Sequence, residues 1–190
     1  MLTTNQTNNI QDILFSDEEQ YVYAVVDGAA CPELRFKLYE WQPFSSCLWS
    51  GTLEPDLEEV APYMVVLERD SAFTLWLIKE GWDNHWNIFV QSPLEPKSFR
   101  KQIRKLQLVR SPEAKTLMFR FYDPRVMHVF LPTCDSEQNQ ELFSGVSSLY
   151  YPLAQNGVIK QARLKSEDFT VRFNDWIVEA EPGEKNNVEA

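Results

Sequence analysis

The chain has 190 residues, 44% of them hydrophobic, enough to fill the core of one globular domain. Its formal net charge of -10 at pH 7 opposes binding of nucleic acid or an anionic membrane by the surface as a whole, and favours a protein partner. The longest apolar runs fall far short of the ~20 residues that span a bilayer. The opening MLTTNQTNNI lacks the basic region and apolar stretch of a signal peptide, so a cytoplasmic location without membrane insertion is expected.

Residues 1–20 are polar and Asn/Gln-rich around Ile13-Leu14-Phe15, which predicts a flexible N-terminal segment. YVYAVVD (Tyr21 to Asp27) reads as a buried strand. Gly28 and then Pro32 lead into a helix with Leu34, Leu38 and Trp41 at helical spacing. Pro62 precedes a second strand, YMVVLE, and Ser71 can cap a helix that carries Phe73, Trp76 and Leu77 on one face and ends at Gly81. NIFVQS (Asn87 to Ser92) is a third strand and Lys97 to Leu106 a third helix. TLMFRFY (Thr116 to Tyr122) reads as a fourth strand running into a DPRVMHVFL helix. After Thr133 come a short helix, DSEQNQELFSG, and two extended segments, VSSLYYPL and VIKQARLK. Alternating strands and helices predict an α/β fold: a mixed sheet flanked by helices, with a small C-terminal helical and extended portion. The organisation expected is a flexible segment over 1–20, an α/β core over 21–146, a C-terminal portion over 147–178 and an acidic flexible tail over 179–190.

Three stretches concentrate chemistry. In KSFRKQIRKL, Phe99, Ile103 and Leu106 share one helix face while Arg100, Lys101, Arg104 and Lys105 fill the other. That basic face is either a solvated surface or a docking stripe for an acidic partner; no aromatic stacking platform accompanies it, so nucleic acid is not expected. GWDNHW (Gly81 to Trp86) places Trp82, His85 and Trp86 in one loop, where the rings either close the end of the core or anchor an interface. His85 has no partner that would make it a catalytic base.

FRFYDPRV (Phe119 to Val126) is the densest. Strand alternation would send Phe119 and Phe121 inward and project Arg120 and Tyr122 together. Asp123 sits where an N-cap belongs and Pro124 at the first helical position; Arg125, in a first turn that disfavours cations, calls for a carboxylate such as Asp123. A structural ion-pair and cap network over Arg120, Tyr122, Asp123, Pro124 and Arg125 is the leading reading, and a small hydrolase or nucleotide-binding site over the same cluster the alternative. No nucleophile has a base beside it, and GxSxG, P-loop, HExxH and GxGxxG motifs are absent from the sequence, so no catalytic residue and no enzymatic activity are expected. Cys31, Cys47 and Cys134 are odd in number, widely spaced and joined only by His85 and His128; no zinc-ligand spacing arises, and reduced thiols without metal or cofactor are expected.

YAVVDGA (Tyr23 to Ala29), GTLEPDLEEVAPYMVVLE (Gly51 to Glu68), GWDNHWNIFVQS (Gly81 to Ser92) and FRFYDPRVMHVFLPT (Phe119 to Thr133) resemble, in order and spacing, the bacterial type VI secretion effector-chaperone or adaptor family of the Tap/Tec-like kind. The likeness covers about Tyr21 to Val146; Asp83-Asn84-His85 and Asn87 around Trp86, where small glycines are more typical, and the region after Val146 depart from it. The resemblance implies a non-enzymatic protein that binds a cognate toxic effector and helps load it on a VgrG-type spike. Arg100, Lys101, Arg104, Lys105, Trp82 and Trp86 are the candidate partner contacts.

Overall fold

The computed structural model describes residues 2–110, 114–153 and 157–178. Helix α1 (Thr4–Leu14) opens with a reciprocal cap: the Gln6 N–H donates to the Thr3 hydroxyl at 3.2 Å, and the Thr3 N–H to the Gln6 side chain at 2.9 Å. Ile10 and Leu14, one turn apart, are fully buried. Gln11 donates to the Asp70 carboxylate at 3.2 Å and accepts the Asp70 N–H at 2.8 Å. The N-terminal residues expected to be flexible therefore include a docked helix. Two of its four buried residues, Thr7 and Gln11, are polar, which is why hydrophobic periodicity did not reveal it.

Strand β1 (Tyr21–Asp27) is followed by α2 (Leu34–Trp41), β2 (Ser45–Cys47), α3 (Pro55–Val60), β3 (Pro62–Leu67), α4 (Ala72–Gly81) and β4 (Asn87–Ser92). Helix α5 (Pro96–Ile103) runs on as a 3-10 turn, Arg104–Gln107. Then come β5 (Leu108–Arg110), β6 (Thr116–Met118), α6 (Pro124–Phe130), α7 (Ser136–Leu142), β7 (Ser148–Leu153), β8 (Val158–Leu164) and β9 (Val171–Ile177). Seven strands form one sheet in the order β2-β3-β1-β4-β7-β8-β9.

The α/β class holds, but each neighbouring pair in this sheet is antiparallel rather than of mixed direction. The reason is visible around β1. Strands β3 and β4, joined through α4, both run opposite to β1 and hence in the same direction as each other, as strand-helix-strand alternation suggests; β1 is inserted between them, so they are not neighbours.

Six of the seven β1 residues are buried because helices cover both sheet faces. Val22, Ala24 and Val26 pack with Ile10, Leu34 and Phe73 on one side; Tyr23 and Val25 pack with Phe99, Ile103 and Met127 on the other. The region after Val146 is not an appendage. Strand β7 pairs with β4 in mid-sheet, and a buried polar chain crosses the strands: the Gln161 amide donates to the Tyr150 hydroxyl at 2.8 Å, which donates to Gln91 at 2.9 Å, whose own amide donates to the Leu14 carbonyl at 2.9 Å. Residues 179–190, the expected acidic tail, lie outside the described residues.

The fourth strand ends early. Only Thr116–Met118 is extended and paired, and with β5 in a separate two-stranded ribbon rather than with the main sheet, where β7 occupies the place beside β4.

Candidate partner-binding surface

After Met118 the Phe119 N–H makes one last bond to the Gln107 carbonyl (2.8 Å), and the chain turns as the Asp123 N–H donates to the Arg120 carbonyl (3.0 Å). Phe121 and Tyr122 are both buried, so the two rings do not alternate in and out as in a paired strand, but the Tyr122 hydroxyl still lies beside Arg120. Burial pushes the Tyr122 hydroxyl up to about 12.

Asp123 caps α6 as expected. Its carboxylate accepts the Arg125 N–H and Nε at 3.0 Å and Nη2 at 2.8 Å, and Pro124 fills the first helical position. Burial alone would raise the Asp123 carboxyl; hydrogen bonds from Arg125 and the charges of Arg125 and Arg120 outweigh it and hold the group below its ordinary value. Arg120 has a second partner that local spacing could not supply. It is bonded to Asp27, 93 positions away at the end of β1, and lies 3.7 Å from Asp123. The Asp27 side chain is only 3% exposed, whereas that of Arg120 is 47% exposed.

Around Asp27 several chain segments cross. Its carboxylate accepts the Ala29 N–H (3.0 Å), its own N–H reaches the Trp86 carbonyl (2.8 Å), and the Gly28 N–H reaches the Ala61 carbonyl (3.1 Å). A Cβ on Gly28 would stand 2.4 Å from the Ala61 oxygen and 2.6 Å from that of Glu59, so this crossing needs glycine. The segments YAVVDGA, EEVAPY, GWDNHW and FRFYDPRV thus meet at one end of β1. Two carboxylates face two guanidiniums, with the acceptor oxygens committed to backbone and arginine donors. That arrangement fixes chain crossings, and a carboxyl held below its ordinary value is a poor proton donor near neutrality.

The basic helix has the expected geometry, with Phe99, Ile103 and Leu106 buried. Tyr23 stacks on Phe99 at 4.0 Å and donates to the Leu94 carbonyl at 2.6 Å, seating the helix N-terminus on the sheet. Two of the four cations also bind within the fold. Arg100 donates from Nε and Nη2 to the Cys47 carbonyl at 3.1 and 2.8 Å, and Arg104 is bonded to Ser50. Lys105 donates to Gln102 at 2.9 Å and, like Lys101, is exposed. With Lys97 these residues line an open groove of about 430 Å³.

Of the two loop tryptophans, Trp82 is 6% exposed and belongs to the core, so it is not available as the partner contact considered for it. Trp86 is half-buried against Trp76, with ring centres 5.5 Å apart. The loop closes the core, with His85 at φ 55° making the turn.

The sequence did not show where large apolar side chains stay exposed. Phe36 and Tyr39 on α2, Phe44 after it, and Leu108, Val109, Leu117 and Met118 on the ribbon all face solvent. The signal for α2 was present, since Phe36 and Tyr39 lie off its Leu34-Leu38-Trp41 stripe. Among the described residues no three His, Cys, Asp or Glu side chains form a metal-holding group, and no helix is long and apolar enough to cross a membrane.

An antiparallel sheet clothed in helices and tied at one end by an Asp-Arg clamp defines an α/β domain whose densest sequence motif is a structural crossing. Residues 22–141, more than half of the chain, match the family model described as "Domain of unknown function (DUF4123)", and the chain belongs to this family. The family is associated with type VI secretion effector chaperones and adaptors. No curated protein matches the chain, and no solved structure matches it.

Proposed function

We propose that this chain is a type VI secretion effector adaptor that binds a cognate toxic effector, keeps it competent for export and promotes its loading on a VgrG-type spike, without catalysing a reaction itself. Family membership carries the reading. The clamp supports it: Arg120, Asp123 and Arg125, the groups an enzyme would use, are engaged with one another, with Asp27 and with a helix cap. Apolar side chains exposed on α2 and on the β5–β6 ribbon add surface of the kind that meets other proteins. The partners implied are the effector and the spike, with no nucleic acid and no membrane insertion.

Co-expression with the candidate effector encoded beside the gene tests this reading. The effector should be more soluble in the presence of the chain and co-purify with it, because a partner that binds the folded effector stabilises it by mass action. An effector equally soluble with and without the chain contradicts the proposal.

A further inference from the structure

The β5–β6 ribbon is the least self-sufficient part of the fold. Its strands pair Leu108 with Met118 and Val109 with Leu117, and among the described residues they pair with no other strand. Alternation puts Leu108 and Met118 on one face and Val109 and Leu117 on the other. None of the four is covered: exposures are 60%, 53%, 36% and 49% in that order. A two-stranded ribbon is marginal in water unless a third strand or a packed face supports it. Four aliphatic side chains bare on its two faces therefore mark a surface that something else covers.

What flanks the ribbon indicates what that is. Leu108 and Lys105 line the cationic groove of α5 and also an adjoining cleft of about 360 Å³, where Val109, Phe119 and Phe130 stand beside Gln138 and Glu141. The apolar and cationic surfaces are thus continuous, on a chain whose net charge is -10. A second copy docking through the same patch would bring two cationic α5 faces to one interface, which like-charge repulsion disfavours. A polyanionic nucleic acid would find aliphatic groups where it needs aromatic rings to stack on.

We propose that the ribbon and the exposed cations of α5, Lys101 and Lys105, form one docking surface for a partner polypeptide segment in which large aliphatic side chains alternate with Asp or Glu. With the segment lying between the two elements, its aliphatic groups cover Leu108 and Met118 on one ribbon face, and its carboxylates, on its opposite side, meet the two lysines. The adaptor reading supplies the biological identity of that partner; the chemistry of the surface stands apart from it.

The probe is a fluorescein-labelled synthetic peptide of alternating leucine and glutamate, titrated with the full chain and followed by anisotropy. Two control peptides replace every glutamate by glutamine or every leucine by serine. The parent peptide should bind and weaken as salt rises, and both controls should bind at least about tenfold more weakly. The double variants Leu108→Ser with Met118→Ser, and Lys101→Glu with Lys105→Glu, should each lose a similar factor while keeping the far-ultraviolet dichroism of the wild type. Equal binding of the glutamine peptide, indifference to both double variants, or a labelled oligonucleotide that binds as tightly as the peptide would each overturn the proposal. So would a wild-type dimer that the ribbon variant dissociates, since the surface would then be a self-interface. The candidate effector in the same titration separates this inference from the adaptor reading. An effector that binds both double variants like wild type refutes the surface and leaves the adaptor reading; a peptide that behaves as expected beside an effector that does not bind leaves the surface and refutes the adaptor reading.

Discussion

The Asp27–Arg120 pair joins the end of the central strand to the turn before α6, and its strength can be bracketed from its surroundings. Breaking a fully buried ion pair costs ~3–5 kcal/mol because it strands a charge away from water, whereas an exposed pair is worth ~0–1 kcal/mol. Asp27 is buried at 3% exposure but Arg120 is 47% exposed, so water solvates one partner well and the pair falls between the two limits. We expect Arg120→Gln to cost about 2 kcal/mol, mainly by leaving the Asp27 charge buried. Asp27→Asn should cost less, about 1 kcal/mol, since an amide can still accept the Ala29 N–H and the guanidinium left without its partner is half exposed to water. The double variant should cost less than the sum, with a coupling of ~1–2 kcal/mol. Urea unfolding followed by circular dichroism, with unchanged m-values, gives the four free energies of the cycle. Single variants that each lose less than ~0.5 kcal/mol, the range of ordinary surface substitutions, would refute the clamp. Variants that melt like wild type yet abolish a measurable turnover would turn the same residues into an active site.

Gly28→Ala should destabilise the chain by about 1–3 kcal/mol, because its Cβ meets two backbone oxygens that can move only with the β3 entry; a thermal melt unchanged from wild type would contradict the close crossing. Asp123, with its folded-state carboxyl held below the ordinary value, contributes stability that is fully present above the unfolded value and is lost as pH falls through the folded one. The gap in unfolding free energy between wild type and Asp123→Asn, which keeps the cap, should therefore be constant near neutrality and shrink below about pH 4; a gap that grows on acidification would be the wrong sign. On α5, Arg100→Gln should cost ~1–2 kcal/mol through its two bonds to the Cys47 carbonyl. Lys101→Glu should stay within about 0.5 kcal/mol of wild type. Equal losses at the two positions would mean that α5 carries one uniform charged face.

Local chemistry was the legible part of this sequence. The Asp123 cap, Pro124 at the first helical position and the Arg125–Asp123 pair all follow from residues within three positions of one another. The buried stripe of α5 and the strands at Tyr21, Asn87, Ser148 and Val158 follow from apolar patterning within each segment. What spacing could not give was the meeting of distant residues. Arg120 finds Asp27 through the tertiary fold, and Arg100 finds the Cys47 carbonyl in the same way. The burial of Tyr122 together with Phe121 was not legible because alternation holds only where a strand is paired, and pairing stops at Met118. Helix α1 was missed since Gln11 docks by hydrogen bonds to Asp70, which leave no periodic apolar trace. Strand β9, an edge strand with Trp176 and Ile177 exposed, lacks the buried alternation that reveals inner strands. The exposed ribbon left no sequence signal of its own, because composition does not distinguish covered from bare aliphatic side chains.

On the adaptor role proposed above, the chain serves one effector rather than the secretion machine at large. The most direct measurement compares two effectors in the culture medium of its native bacterium with the gene intact, deleted and restored. The effector encoded beside the gene should disappear from the medium on deletion and return on restoration, while an unrelated effector of the same machine is exported throughout. Unchanged export of the neighbouring effector, or equal loss of both, would contradict that role.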